Sequence, residues 1–446
     1  MKAADLTEND PASPKDRRAG MRRRLAVVLL VALALRLAVL PLPNFENLMD
    51  ADHIHAWEQG NVAEALLAGR GFGSALMSNQ PSAIMPPVYP LIVAVMFHFF
   101  GVHTPASILA VHVFDCLINT LACIPIFLMA RRSFGERAGW WAAWGWAIFP
   151  YGIYFSAAWA WSTHLLLLCL CWLLVLAQHM EESPRLALWA GFGLLAGFAG
   201  LTEPSVLVVI PFLLVLACWR LAREKKQWML PGIVSSLAMA AALSPWLIRN
   251  AMVFHRFIPM RDSMGLEMWM GNNGYDLHWT SNDLNPLHDP QELAAFNSMG
   301  ELAYMNYKAQ EAKAYIREHP AWYMWMCVRR SFYLWTGFWS FNRDYLKLEP
   351  MDPANIPFAT TLTLLMLLGL LTAWRDAPLE VIRYGGVLFL YPLMYYFVHP
   401  EAYRMRPLDP LFVILGCYAL LVLRERLKAS ATVPAVPGTA EAPAMK

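Results

Sequence analysis

The chain reads as an all-α polytopic membrane protein of about ten crossing helices, with short interfacial helices and a small α-helical region on one face. Three observations predict this. Of the 446 residues, 58% are apolar and only 15% charged, against about 45–50% and about 25% in soluble domains. Apolar runs of 16 to 26 residues recur along nearly the whole length, close to the ~20 residues a helix needs to cross a bilayer core. The period-two alternation of a barrel strand is absent, so membrane backbone groups are expected to be satisfied inside helices. A net charge of +2 gives no basis for a nucleic-acid partner, and the first expected partner is the lipid bilayer.

Residues 1–24 are polar and read as a disordered cytoplasmic tail. The apolar run after them lacks a small-residue cleavage site, so it is expected to remain as the first crossing rather than leave as a signal peptide. Crossings are predicted at 25–43, 105–130, 139–157, 162–178, 186–201, 203–218, 229–248, 357–373, 384–399 and 408–424. Basic residues set their orientation. Lys15, Arg17, Arg18 and Arg22 to Arg24, then Arg131, Arg132 and Arg137, then Arg220, Arg223, Lys225 and Lys226, and finally Arg424, Arg426 and Lys428 fall in or beside short connections. The positive-inside rule puts them in the cytoplasm.

Two apolar stretches do not fit as crossings. Counting 86–101 would move Arg131 and Arg132 to the outer face and break the parity of every later loop. It is also short and opens with three prolines in five residues, as an interfacial helix would. The stretch 321–341 carries Arg329 and Arg330 at its middle, at roughly 2.5–3.5 kcal/mol each on insertion scales. With both set aside, the polar regions 44–104 and 249–356 fall on the outer face. The organisation is then a first membrane module at 25–248 including loop 44–104, an outer region at 249–356 with an interfacial helix, C-terminal crossings within 357–428, and a disordered tail at 429–446. Inside the outer region, Asp289 before Pro290 and Glu292 forms a helix-start signature, with helical pattern to His319, and Gly271 to Gly274 reads as a turn. The seven cysteines have no metal-ligand spacing and read as packing residues.

Chemistry concentrates in the outer loop after the first crossing, where Asp50, Asp52, His53, His55 and Glu58 follow one another. Carboxylates beside hydrocarbon are costly and are kept there to handle ions, protons or a reactive substrate. Asp50, Asp52 and His53 are also a loose divalent-cation set, with two hard oxygens and an imidazole. In the membrane, His112, Asp115 and Asn119 share one helix face and must meet protein or a cavity. Arg36 lies near the outer end of the first crossing and is expected to snorkel or to pair with an acid.

Several segments together resemble the GT-C glycosyltransferases, membrane enzymes that use polyprenyl-phosphate sugars. They are the acidic first outer loop, Leu66 to Phe72 with Gly69 and Gly71, Pro86-Pro87-Val88-Tyr89-Pro90, Leu201-Thr202-Glu203-Pro204, Ser244-Pro245-Trp246 through Arg249-Asn250, and His399 through Pro407 before the last helix. The resemblance implies an inverting transferase of the bacterial inner membrane. It would take a sugar from a polyprenyl-phosphate donor and pass it to a periplasmic acceptor, which is protein, lipid or glycan. Many relatives have Asp followed by Glu at the head of the first interfacial helix, whereas this chain has Asp50 and Asp52 earlier and Glu58 after Trp57. The resemblance therefore leaves Glu58 or Asp52 as the base. It assigns Arg404, Arg406, Tyr403 and Arg249 to the donor phosphate, with Asp50, His55 and Glu203 as acceptor-binding or supporting residues. No cofactor is required by this reading, and a divalent cation is its alternative. The competing class is a lipid or glycolipid transporter or flippase using the His112 and Asp115 face.

Overall fold

The computed structural model describes residues 14–41, 57–76, 79–274, 284–343, 345–348, 351–398 and 402–431. Among them regular structure is helical, apart from one isolated bridge between Gly73 and Pro81. Helix α1 spans Pro14–Val39, so the basic segment 14–24 is not a loose tail. Arginine and lysine are good helix formers, and this segment runs without a break into the first apolar helix.

The outer loop carries two short helices, α2 (Glu58–Leu67) and α3 (Val88–Phe100). The 13 residues of α3 rise only about 20 Å, short of the ~30 Å hydrocarbon core. Next come α4 (Pro105–Leu121) and α5 (Cys123–Phe134), which together form one apolar stretch of 30 residues. Thr104 and Ser107 cap its start reciprocally. The single crossing expected at 139–157 is two helices, α6 (Glu136–Ala147) and α7 (Pro150–Ala158). Phe149 is extended, as the residue before a proline prefers.

The bundle continues with α8 (Thr163–Met180), α9 (Leu186–Thr202), a 3-10 turn at Pro204–Val208, α10 (Ile210–Arg223) and α11 (Met229–Phe254). The outer region holds α12 (Met264–Gly271), α13 (Pro290–Met299), α14 (Glu301–Glu318) and α15 (Pro320–Thr336). Last come α16 (Asp352–Asp376), α17 (Pro378–Leu390), a short helix at Leu393–Phe397, a 3-10 turn at Ala402–Leu408 and α18 (Asp409–Ala431). The crossing expected at 384–399 is thus also interrupted, at Pro392.

Six helical stretches among the described residues are long and apolar enough to cross a membrane: 105–134, 163–180, 204–223, 229–254, 352–376 and 403–429. Helix α9 is apolar but has only 17 residues. Helix α8 forms the centre of the bundle, with Leu166, Leu170, Leu173 and Leu174 buried. Helices α9 and α11 cross closely because a Cβ on Gly193 would stand 2.1 Å from the Ser235 carbonyl oxygen.

The helix ends sort into two groups. At one end Arg131 reaches the Met21 sulfur at 3.3 Å and Arg137 binds Glu425 at 2.8 Å, gathering the start of α1, the α5–α6 junction and the end of α18. At the other end the two long polar regions meet. The Asp262 amide donates to the Ala83 carbonyl at 3.1 Å, and the Ala83 amide donates to Glu301 at 2.6 Å.

Candidate functional site

A chain of alternating charges crosses this second end. Arg261 lies 3.4 Å from Glu203 and 3.5 Å from Glu267, and Arg404 contacts both Glu267 oxygens at 3.3 Å. Each residue comes from a different part of the fold. Glu203 is extended before Pro204, where α9 stops. Arg261 sits in the loop after α11 and is fixed by a 2.7 Å bond from its Nε to the Ile84 carbonyl. Glu267 is in the first turn of α12, and Arg404 is in the 3-10 turn before α18. The Glu267 carboxylate is therefore held between two guanidinium groups, a geometry that suits any compact oxyanion.

An aromatic wall stands beside Arg404. Its guanidinium lies 5.7 Å from the ring centre of Tyr395 and 5.5 Å from that of Tyr403. Tyr403 in turn stacks on Trp159 at 5.3 Å and meets Trp161 edge-on at 5.6 Å. The same turn receives the first outer helix, because the Trp57 indole donates to the Ala160 carbonyl at 3.1 Å. Glu58, the next residue, opens α2 and is half-buried. Trp57, next to Glu58, and Tyr403, next to Arg404, thus both contact one turn, 159–161, although they lie far apart in sequence.

The other expected residues divide. Arg406 turns away from Arg404 to lie 4.0 Å over the Tyr151 ring and 3.4 Å from Asp409. Arg249 donates to the carbonyls of Phe72 at 2.5 Å and Ser82 at 2.8 Å, inside a cage of Phe72, Trp246 and Phe254 rings. It ties the outer loop to the end of α11. Glu203 provides no side-chain cap to the turn it opens and pairs with Arg261 instead. Asp50, Asp52, His53 and His55 lie outside the described residues. Among the described residues no group of three or more His, Cys, Asp or Glu side chains is placed to hold a metal ion.

Arg36 is fully buried and meets no acid among the described residues. Its guanidinium donates to Asn119 Oδ1 at 2.9 and 3.1 Å and to the carbonyls of Ala32, Trp146 and Ala147. Neutral oxygens suffice because five donors can be satisfied at once. On the same α4 face Asp115 accepts from the Tyr89 hydroxyl at 2.6 Å. Arg330, expected to mark α15 as interfacial, is fully buried, with Asn272 Oδ1 at 3.0 Å and the Phe397 carbonyl at 3.2 Å.

Arg261 and Glu267, central to the charge chain, escaped the sequence reading. Their only signal is a pair of opposite charges shortly after a crossing, which a solvated loop shows equally well. Next to them, Asp262 and Glu301 flank the Ala83 peptide. Burial pushes the Glu301 carboxyl up to about 7, against the opposing bond from the Ala83 amide, and pushes Asp262 up to about 6.

Fold and site together define a polytopic helical membrane protein with a chain of alternating charges where its two long polar regions meet. A family model described as dolichyl-phosphate-mannose-protein mannosyltransferase matches residues 84–248. None of the curated proteins matches the chain at a significant level. Among solved structures it is similar to the Archaeoglobus fulgidus oligosaccharyltransferase AglB in complex with an inhibitory peptide and a dolichol-phosphate. That superposition has a TM-score of 0.55 at 12% identity and covers 94% of this chain and 53% of the other. The apo form of the A. fulgidus enzyme gives a TM-score of 0.53 at 14% identity, covering 91% and 51%. ArnT from Cupriavidus metallidurans, bound to undecaprenyl phosphate, superposes with a TM-score of only 0.36 at 15% identity, over 90% and 78%, too low to bear on the site. The chain spans about half the length of the oligosaccharyltransferase. What these superpositions share with this chain is the fold, and the family model covers the part of it from residue 84 to residue 248.

Proposed function

We propose that this protein is a membrane glycosyltransferase that moves a sugar from a polyprenyl-phosphate donor to a periplasmic acceptor with inversion. One observation carries this reading: Arg261 and Arg404 converge on a single carboxylate beside an aromatic wall, at the end of the bundle where both outer regions meet. A pair of guanidinium groups that holds a carboxylate also suits a phosphate, and aromatic rings suit the faces of a sugar.

In the proposed reaction Glu58 or Asp52 accepts the proton of the acceptor hydroxyl or amine. The freed lone pair attacks the anomeric carbon from the side opposite the phosphate. The anomeric C–O bond breaks, its electron pair stays on the phosphate oxygen, and Arg404 stabilises the charge that gathers there. Tyr403 and Arg406 shape the same turn, and Arg249 holds the outer loop in place. A periplasmic site in a bacterial inner membrane agrees with basic helix ends gathering opposite to the charge chain.

The test is product formation by purified protein in detergent, given radiolabelled polyprenyl-phosphate sugars and an envelope extract as acceptor source. Radiolabel transferred without two compartments excludes transport as the whole activity. Glu58→Gln is expected to lower kcat by about 10²-fold or more if Glu58 is the base. Full activity in both Glu58→Gln and Asp52→Asn overturns the assignment of a carboxylate base in this loop.

A further inference from the structure

The end of the bundle opposite the charge chain carries a groove that glycosyl transfer does not use. It has a volume of about 400 Å³ and is lined by Arg24, Val27, Arg137, Trp140, Trp141 and Trp144. Helix α1 supplies one wall and α6 the other. Arg24 is exposed and forms no ion pair among the described residues. Arg137 spends one nitrogen on Glu425 at 2.8 Å, which fixes its guanidinium at the mouth. The Trp140 indole is 3.4 Å from Glu136, and Trp141 and Trp144 stay more than a third exposed at the rim.

Two chemistries meet here. The guanidinium groups lie among the basic residues Arg22, Arg23 and Arg131, where a phosphodiester anion is attracted. The remaining lining is indole and valine, at the place along a crossing helix where tryptophan marks the headgroup boundary. A soluble anion has no use for the apolar wall, and a neutral lipid has none for the paired cations. We infer that the groove binds an anionic phospholipid of the leaflet at the basic end, with its phosphate on Arg24 and Arg137 and an acyl chain along Val27, Trp141 and Trp144. Such a lipid bridges the first crossing to α6 and, through Arg137 and Glu425, to the last helix. The site is independent of the glycosyl-transfer reading.

Native mass spectrometry of the full-length protein, delipidated and titrated with phosphatidylglycerol or phosphatidylethanolamine, tests this. Phosphatidylglycerol is expected to bind at one saturable position, in preference to phosphatidylethanolamine. Replacing both arginines, Arg24→Gln with Arg137→Gln, should weaken it about 30-fold, roughly fivefold per cation. Glu425→Gln removes the same ion pair but keeps both guanidinium groups, and should leave binding in place, which separates loss of the site from loss of the fold. Equal binding of the two lipids, unchanged binding in the double variant, or displacement of phosphatidylglycerol by excess inorganic phosphate each overturns the inference.

Discussion

The two ends of the bundle both carry networks of charge, and they are built differently. At the basic end Arg383 is only 1% exposed and meets Glu181, 4% exposed, at 2.6 Å. Its other side contacts Glu380, which also accepts from Ser133 at 2.8 Å and Gln178 at 3.1 Å, while the Tyr384 hydroxyl completes the ring. At the site end Glu203, Arg261, Glu267 and Arg404 are 13–18% exposed and stand 3.3–3.5 Å apart. The first network has short pairs centred on a guanidinium that is itself almost fully buried, with Glu380 its one partly exposed acid. The second has longer pairs within reach of water, and each cation there is shared or open to exchange. Buried pairs rivet helices together, whereas looser ones can trade a carboxylate for an incoming phosphate at low cost.

The sharpest way to break this comparison is to remove one partner at each end. Glu181→Ala leaves the buried Arg383 guanidinium paired with Glu380 alone and removes two charge-assisted hydrogen bonds, so a stability loss of about 3 kcal/mol is expected. Thermal unfolding in detergent reads it directly. If Glu181→Ala unfolds no earlier than Arg404→Ala, the basic-end network is not a rivet and the contrast between the ends fails.

Glu301 sharpens the contrast because it is the dry exception at the site end. Burial lifts its carboxyl from 4.5 to about 7, so the folded protein holds a proton there that the unfolded chain has already released. Its contribution to stability is complete below about pH 4.5 and is lost as pH rises through about 7, by roughly 3 kcal/mol at most. Asp262 acts in the same direction between 3.8 and about 6, while the Arg249 cation opposes the rise at Glu301. Melting temperature against pH should therefore decline across this window, and Glu301→Gln should flatten most of the decline. A wild-type profile already flat from pH 5 to 7 would show that the Ala83 clamp does not titrate.

Arg404→Ala carries the functional half of the comparison. Glu267 keeps Arg261, so stability should change by less than about 1 kcal/mol, while transferase activity should fall about 10²-fold or more through the lost anion contact. Glu267→Gln tests the exchange itself, since a neutral amide competes less with phosphate. It should lower KM for the lipid donor more than it changes kcat. An Arg404→Ala protein that melts early and an active one that keeps its KM would both contradict the reading of a loose, exchangeable chain.

Sequence patterns made the helical membrane architecture legible because apolar runs and flanking arginines act locally. The short α3 followed from length, and charge parity put the two long polar regions on one side, while their contact through Ala83 came from the fold. What escaped has a common physical origin. The breaks before Pro150 and near Pro392 depend on how each half packs, which hydropathy does not record. The burial of Arg330 was not visible because insertion cost assumes lipid around a guanidinium, whereas the fold supplies Asn272 and the Phe397 carbonyl as its partners. In the site, Arg404 and Glu203 were visible through the segments that resemble GT-C enzymes, but Arg261 and Glu267 acquire meaning only when α12 brings them between those two. The acidic loop at 50–55 led the sequence reading and lies outside the described residues, so Glu58 is the acid of that set that the fold ties to the 159–161 turn.

The smallest expected effect calibrates the others. Asp289 caps α13, accepting from the amides of Gln291 at 2.8 Å and Glu292 at 3.4 Å, and belongs to neither network. Asp289→Ala should cost about 1 kcal/mol, the usual worth of an N-cap, and Asp289→Ser should recover most of it because a hydroxyl can accept the same bonds. Neither substitution touches the charge chain, so donor KM should not move. The Glu292 carboxylate in the first turn of this helix also accepts from Tyr304 at 2.6 Å and Lys308 at 2.8 Å, which anchors α13 to α14 even when its cap is gone. A loss near 3 kcal/mol for Asp289→Ala would mean that the outer region is coupled to the bundle as tightly as the basic-end rivet, and would erase the distinction between the two ends.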